Sequence, residues 1–203
     1  MRSVPLPFLY AAFLLSGAAA LIYQVVWQRS LFALYGVNVE AVTIVVSAFM
    51  LGLGLGSFLG GLLSKRPGAP LPAWFACIEL GIGAFGLISL KLFHLVGQAT
   101  AGAQGFSTFA LSFALVLVPT LLMGSTLPML VAYSVRASHN VGRSVGMLYF
   151  INTLGSAIAS IAAGIWLLRL LGQSGCVQFA AACNFLVGSS VLVWWLSSKR
   201  RLA

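Results

Sequence analysis

The sequence predicts an all-α membrane protein, a single domain of six transmembrane helices over residues 1–203. Of its residues 61% are hydrophobic and only 6% are charged, and the mean hydropathy is +1.06, whereas a soluble domain has about 25% charged residues. Apolar runs of about 20 residues, the length that crosses a bilayer, alternate with short turn-like segments. The expected spans cover residues 5–27, 41–63, 73–93, 106–131, 144–168 and 176–196.

The first span is expected to end at the membrane interface. Tyr23, Trp27 and Arg29 form an aromatic and basic group of the kind that lies at the headgroup level. Apolar sequence continues from Ala20 to Val26, so this run is closer to a membrane span than to a cleaved signal peptide.

The second span is striped with glycine and ends at Lys65 and Arg66. In water each glycine weakens a helix by about 1 kcal/mol relative to alanine, but in lipid small residues four apart let a neighbouring helix approach closely. We therefore expect this helix to be the packing spine of the bundle, with a second stripe in the fifth span. The expected helix-packing residues are Gly52, Gly56, Gly60, Ser57, Ser156, Ser160 and Gly164.

Only two carboxylates are present, Glu40 and Glu79. Glu40 precedes the second span, where an acidic group stabilises a helix N-terminus. Glu79 lies inside the third span, where a charge costs at least about 2.5 kcal/mol, so it should face the bundle. There it should be either protonated or paired. A substrate or proton site, a polar clamp between helices and a carboxyl near enough the interface to reach water all remain open for Glu79.

The fourth and fifth spans carry the other polar candidates. Pro119 and Pro128 predict kinks or a local break, and such a break is tolerated where it lines a cavity. Each polar group also has a structural interpretation, as a kink or as interhelical hydrogen bonding. With two residues of the first span, the candidate substrate-binding residues are Glu79, Asn152, Thr153, Ser125, Thr126, Tyr23 and Gln24.

The basic residues predict the orientation. If the N-terminus is cytoplasmic, eight of the 11 basic residues fall on the cytoplasmic side and three, Arg29, Lys91 and Arg169, on the other, as the positive-inside rule requires. Both termini are therefore expected in the cytoplasm, and the chain in a bacterial-type inner membrane. The cations are too dispersed for a nucleic-acid site, and we expect no metal or cofactor.

A weak internal repeat links the two halves. Phe49, Leu53 and Gly54 recur 101 residues later as Phe150, Leu154 and Gly155. With three spans per half, equivalent helices run in opposite directions, as in the inverted repeat of one half of a major facilitator transporter. Three identities in apolar sequence also arise by chance, so both interpretations stay open.

A series of motifs resembles a known family. They read Ser16-Gly17, Ala20-Leu21-Ile22-Tyr23-Gln24-Val25-Val26-Trp27-x-Arg29, Phe49-Met50-x-Gly52-Leu53-x-Leu55-Gly56-Ser57, Glu79-Leu80-x-Ile82-Gly83, Gly124-Ser125-Thr126-Leu127-Pro128 and Gly146-x-x-Tyr149-x-x-Asn152-Thr153-x-Gly155. In this order, and over nearly the whole chain, they resemble the membrane region of integral-membrane spermidine-synthase-like proteins.

The resemblance implies a bundle similar to half of a major facilitator fold. In that family the bundle usually precedes a soluble Rossmann-like domain that resembles a polyamine aminopropyltransferase. No position of this chain matches catalytic residues of that domain, so we expect a non-enzymatic module. Relatives tend to carry Gly-x-Leu-Ala-Asp-Arg after the glycine helix, whereas this chain reads Leu62-Leu63-Ser64-Lys65-Arg66, and the missing Asp argues against a salt-bridged transporter gate.

Three functions are compatible with these expectations. In the first, the module anchors, or supplies substrate to, a separate aminopropyltransferase-like soluble partner. In the second, it is a small-solute transporter that acts as a dimer of half-transporters. In the third, it is a structural subunit of a membrane complex. The expected partners are the lipid bilayer, such a soluble protein and a second copy of the chain.

Overall fold

The computed structural model describes residues 4–36, 38–101 and 105–200. All of the regular structure in these ranges is helical. The helices are α1 (Leu6–Tyr35), α2 (Asn38–Ser64), α3 (Leu71–Ala99), α4 (Gly105–Ser138), α5 (Val141–Ala162) and α6 (Leu168–Arg200), and a π-helical turn, Ala163–Leu167, joins the last two. Arg2 and Arg201, which entered the charge count, lie outside the described residues.

Five helical stretches of the described chain are long and apolar enough to cross a membrane. Four correspond to α1 to α4, and the fifth, Val141–Ser198, has 58 residues. The all-α fold agrees with the prediction and the multi-pass character is supported. The count of six separate spans is not confirmed, because the fifth and sixth expected spans fall within one stretch.

That long stretch is broken at Gly172. A straight helix of 58 residues would be about 87 Å long at 1.5 Å per residue, nearly three times the hydrocarbon thickness of about 30 Å. Gly172 has φ 64° and ψ −174°, a combination that is essentially restricted to glycine because a Cβ would clash. The chain therefore has a hinge residue where the sequence predicted a loop between spans.

Contacts with α1 give the direction on each side of Gly172. Before it, Ser156 contacts Gly17 and, just after the break, Gln173 contacts Ser30, so α5 runs parallel to α1. Further along, the ring of Trp194 stacks on Phe8, with 5.6 Å between centroids. The chain therefore turns back at Gly172, and α6 runs antiparallel to α1.

The glycine stripe of α2 packs against α4. A Cβ at Gly52, Gly56 or Gly60 would overlap atoms of α4, so glycine is required for this close approach. The Ser57 hydroxyl donates to the Gly124 carbonyl at 3.0 Å. This carbonyl lies four residues before Pro128, which has no N–H to bond it.

The prolines of α4 do not break the helix. The sequence predicted kinks or a local break, and the local break is not observed because α4 continues through Pro119 and Pro128. At Pro128 the reason is the hydroxyl of Ser57, which satisfies the carbonyl that proline leaves free.

The contact between α1 and α5 repeats that between α4 and α2. Ser156 donates to the Gly17 carbonyl at 3.0 Å, as Ser57 does to Gly124. The Leu14 carbonyl faces Gly155 as the Leu121 carbonyl faces Gly56. Leu154-Gly155-Ser156 thus occupies the position of Leu55-Gly56-Ser57, which shifts the correspondence by two residues from the one expected from the sequence.

The rest of the expected α5 stripe faces outward. Ser160 and Gly164 are both exposed, and nothing lies within 4 Å of a Cβ placed on Gly164. The close approach of α5 to α1 is made by Ser156, the first residue of the expected stripe, and by its neighbour Gly155.

Helices α3 and α6 pack against each other through reciprocal positions. A Cβ on Gly83 would lie 3.3 Å from the Ala181 carbonyl oxygen, and a Cβ on Gly188 would lie 2.8 Å from that of Ala76. The pattern Ala-x-x-polar-x-x-x-Gly is therefore shared by Ala76 to Gly83 and Ala181 to Gly188. Its polar positions are Glu79 and Asn184.

Tyr23 and Trp27 lie in the core of the bundle and not on its outer surface. Both are fully buried, their rings stack with 5.2 Å between centroids, and the Trp27 indole donates to the Ser89 hydroxyl at 3.0 Å. The pair therefore does not form an aromatic belt that faces lipid, because both rings point into the bundle.

Candidate solute-binding site

Glu79 is the centre of a buried polar cluster. Its side chain has no solvent exposure. The Ser16 hydroxyl donates to Oε1 at 2.6 Å, and the Asn184 amide donates to Oε2 at 2.7 Å. Glu79 faces the bundle as predicted, and its partners come from α1 and α6.

A cavity of about 370 Å³ lies beside this cluster. It is enclosed mainly by α1, α2, α4 and α5, and its volume is at the lower end of the range for small-molecule pockets. Its polar lining residues are Ser16, Gln24, Ser57, Thr126, Tyr149, Asn152, Ser156 and Asn184. Phe13 and Phe49 are among the apolar residues of its wall.

Asn184 connects the cluster to the cavity. Its side chain is only 1% exposed, and its Oδ1 atom is buried with no hydrogen-bond partner among the described residues. An unsatisfied buried acceptor costs about 1 to 3 kcal/mol, and such groups in native proteins usually bind a ligand or an ordered water. The inner end of the cavity thus carries a buried oxygen whose hydrogen-bonding capacity is unused.

The sequence-predicted substrate residues divide into two groups. Gln24, Thr126 and Asn152 line the cavity, and Glu79 lies directly behind two lining residues. The other three, Thr153, Ser125 and Tyr23, are not among its lining residues.

The residues outside the cavity have other environments. Thr153 is exposed on the outer face of α5. Ser125 donates to the Leu122 carbonyl at 2.7 Å and packs against Gly60. The hydroxyl of Tyr23 is buried against Gly86 and, within the described chain, has no hydrogen-bond partner.

Both hydrogen-bond partners of Glu79 were missing from the candidate substrate-binding residues. Ser16 belongs to the first family-like motif, and its position there was the available signal. Asn184 is the only Asn in the last expected span, and an amide in the middle of an apolar run is itself a sign of an inward-facing contact.

Chemically, the arrangement is suited to binding. The carboxylate contacts one hydroxyl and one amide, both neutral, and within the described residues no three His, Cys, Asp or Glu side chains are grouped as metal ligands would be. Comparisons of the chain with protein-family models, curated proteins and solved structures found no match.

Proposed function

We propose that this chain is a membrane module that binds a small solute in the cavity beside Glu79 and supplies it to a soluble aminopropyltransferase-like partner. The observation that carries the proposal is the cavity with a buried carboxylate and an unpaired acceptor at its inner end. An anchor or a purely structural subunit has no need for such a cavity. The nature of the partner rests on the sequence resemblance.

A second candidate is a transporter built from two copies of the chain. Tyr149 and Gly54 line the cavity and are also exposed at the protein surface, so the cavity opens sideways between α2 and α5. A second copy that covers this opening would convert it into a closed binding site between two half-transporters.

The proposed architecture is six membrane crossings arranged as an inverted repeat of three plus three helices. The reversal at Gly172 supports two crossings within Val141–Ser198. The matched contacts of Ser57 with Gly124 and of Ser156 with Gly17 support the repeat, since equivalent helices of such a repeat make equivalent contacts.

A cavity-filling substitution tests the proposed function. In Gly54→Trp the indole would occupy the cavity mouth without disturbing helix packing, because nothing lies within 4 Å of a Cβ at this position. Small molecules released from purified protein would be identified by mass spectrometry. We expect a compound that is enriched with the wild-type protein and depleted in Gly54→Trp.

Gly61→Trp is the matched control. Gly61 is on the same helix, also has nothing within 4 Å of a Cβ, and does not line the cavity. It should retain the bound compound. Identical small-molecule profiles for the wild type and both variants would contradict solute binding in this cavity.

A further inference from the structure

The hydroxyl groups around the cavity have no hydrogen left for a ligand. Each hydroxyl carries one hydrogen, and all four Ser and Thr hydroxyls of the lining direct theirs at the protein. The acceptors are Glu79 Oε1 for Ser16, Gly124 O for Ser57, Met123 O for Thr126 and Gly17 O for Ser156, at 2.6, 3.0, 2.7 and 3.0 Å. What these groups offer to a ligand is oxygen lone pairs.

The amides add to this excess of acceptors. Asn184 donates to Glu79, and Asn152 donates to the Phe13 carbonyl at 3.3 Å. The Oδ1 atom of Asn184 is left without a partner. Donors that remain, on Gln24, Asn152 and Tyr149, belong to half-buried or exposed residues, so the inner end of the cavity is dominated by acceptors.

The carboxylate of Glu79 adds a negative charge to the acceptors at the inner end of the cavity. Glu79 is held by two neutral donors, and among the described residues no cation forms an ion pair with it. A buried carboxylate is costly unless a cation pairs with it, and a cationic ligand would supply that pair. Phe13 and Phe49 in the wall provide apolar contact for the rest of such a ligand.

We infer that the cavity binds a small organic monocation. Its single ammonium group donates to the Ser16 hydroxyl oxygen at the Glu79 end, and its apolar body lies against Phe13 and Phe49. One carboxylate balances one charge, so the preferred ligand is a monoamine and not a polyamine. This inference rests on the proposed solute binding.

The test measures binding by isothermal titration calorimetry with the protein in lipid nanodiscs. The probes are 2-phenylethylamine, neutral 2-phenylethanol, anionic 3-phenylpropanoate, a linear triamine and sodium chloride. We expect the monoamine to bind most tightly. Glu79→Gln should weaken the binding of the monoamine by about tenfold or more, as loss of a charge-assisted interaction does. The affinity for the alcohol should stay unchanged.

Two further variants keep the test decisive. Glu40→Gln removes the other carboxylate, which is exposed in the first turn of α2, and should bind like the wild type. Gln24→Lys places a tethered ammonium in the cavity and should abolish monoamine binding even if Glu79→Gln fails to fold. Tighter binding of the alcohol, the anion, the triamine or sodium than of the monoamine would overturn the ligand class. If no probe binds, and the small molecules released from Gly54→Trp match those from the wild type, the proposed function itself is overturned.

Discussion

At the residue scale, Glu79 links three helices through two short hydrogen bonds. Ser16 on α1 and Asn184 on α6 each satisfy one carboxylate oxygen. That Glu79 faces inward was predictable, because the cost of a charge in lipid leaves no other arrangement. Its partners were not, because their identity depends on how α1 and α6 are rotated, and apolar sequence on all sides of a helix does not encode that rotation.

Substitutions of Glu79 and Asn184 should have strongly coupled effects on the free energy of unfolding. Asn184→Leu leaves Glu79 Oε2 without its donor, and we expect a loss of about 1 to 3 kcal/mol in unfolding free energy. In the double variant with Glu79→Leu, neither partner remains to be left unsatisfied. The combined loss should therefore be clearly smaller than the sum of the two single losses.

Equilibrium unfolding of the four proteins in detergent measures this coupling. Each variant is first checked for monodispersity, so that free energies are compared between folded proteins. Strictly additive losses would mean that Asn184 and Glu79 do not act as a pair.

At the element scale, the glycine stripe of α2 shows what sequence periodicity predicts and where it ends. Gly52, Gly56 and Gly60 pack against α4 as their spacing predicts. In the expected second stripe, Ser156 contacts α1 as predicted, but Ser160 and Gly164 are exposed. Small residues at a spacing of four mark a face of a helix; in a lipid-facing segment such a face need not meet a neighbour in the same chain.

The equivalence of the two helix pairs predicts equivalent sensitivity to overpacking. Gly56→Ile and Gly155→Ile both force a side chain into a facing carbonyl group. Each should destabilise the protein by at least about 1 to 3 kcal/mol, the usual range for an overpacked core. Thermal unfolding in detergent measures the loss.

Gly61→Ile and Gly146→Ile are the controls on α2 and α5. Both positions have open space around a Cβ, so both variants should unfold near the wild-type temperature. A tolerated Gly155→Ile alongside a damaging Gly56→Ile would contradict the equivalence of the two pairs.

At the scale of the whole molecule, three cations lie together at one end of the bundle. Arg136 donates to the Ser64 carbonyl at 3.0 Å, so the ends of α2 and α4 meet where Lys65 and Arg66 are exposed. A cation on the last carbonyls of a helix is favourable. Arg136 thus stabilises this end of the bundle.

The six-crossing topology can be tested by labelling single cysteines from outside intact cells with a membrane-impermeant maleimide. In a background without Cys77, Cys176 and Cys183, cysteines at Gln98 and Ser174 should react, whereas those at Arg66 and Ser197 should react only after permeabilisation. The expectation follows from α6 running antiparallel to α5 after Gly172; if each of the two crosses the membrane, Ser174 and Ser197 lie on opposite sides. Labelling of Ser174 and Ser197 from the same side would mean that Val141–Ser198 does not cross twice, and reversed accessibility at all four positions would mean that the positive end of the bundle faces outward.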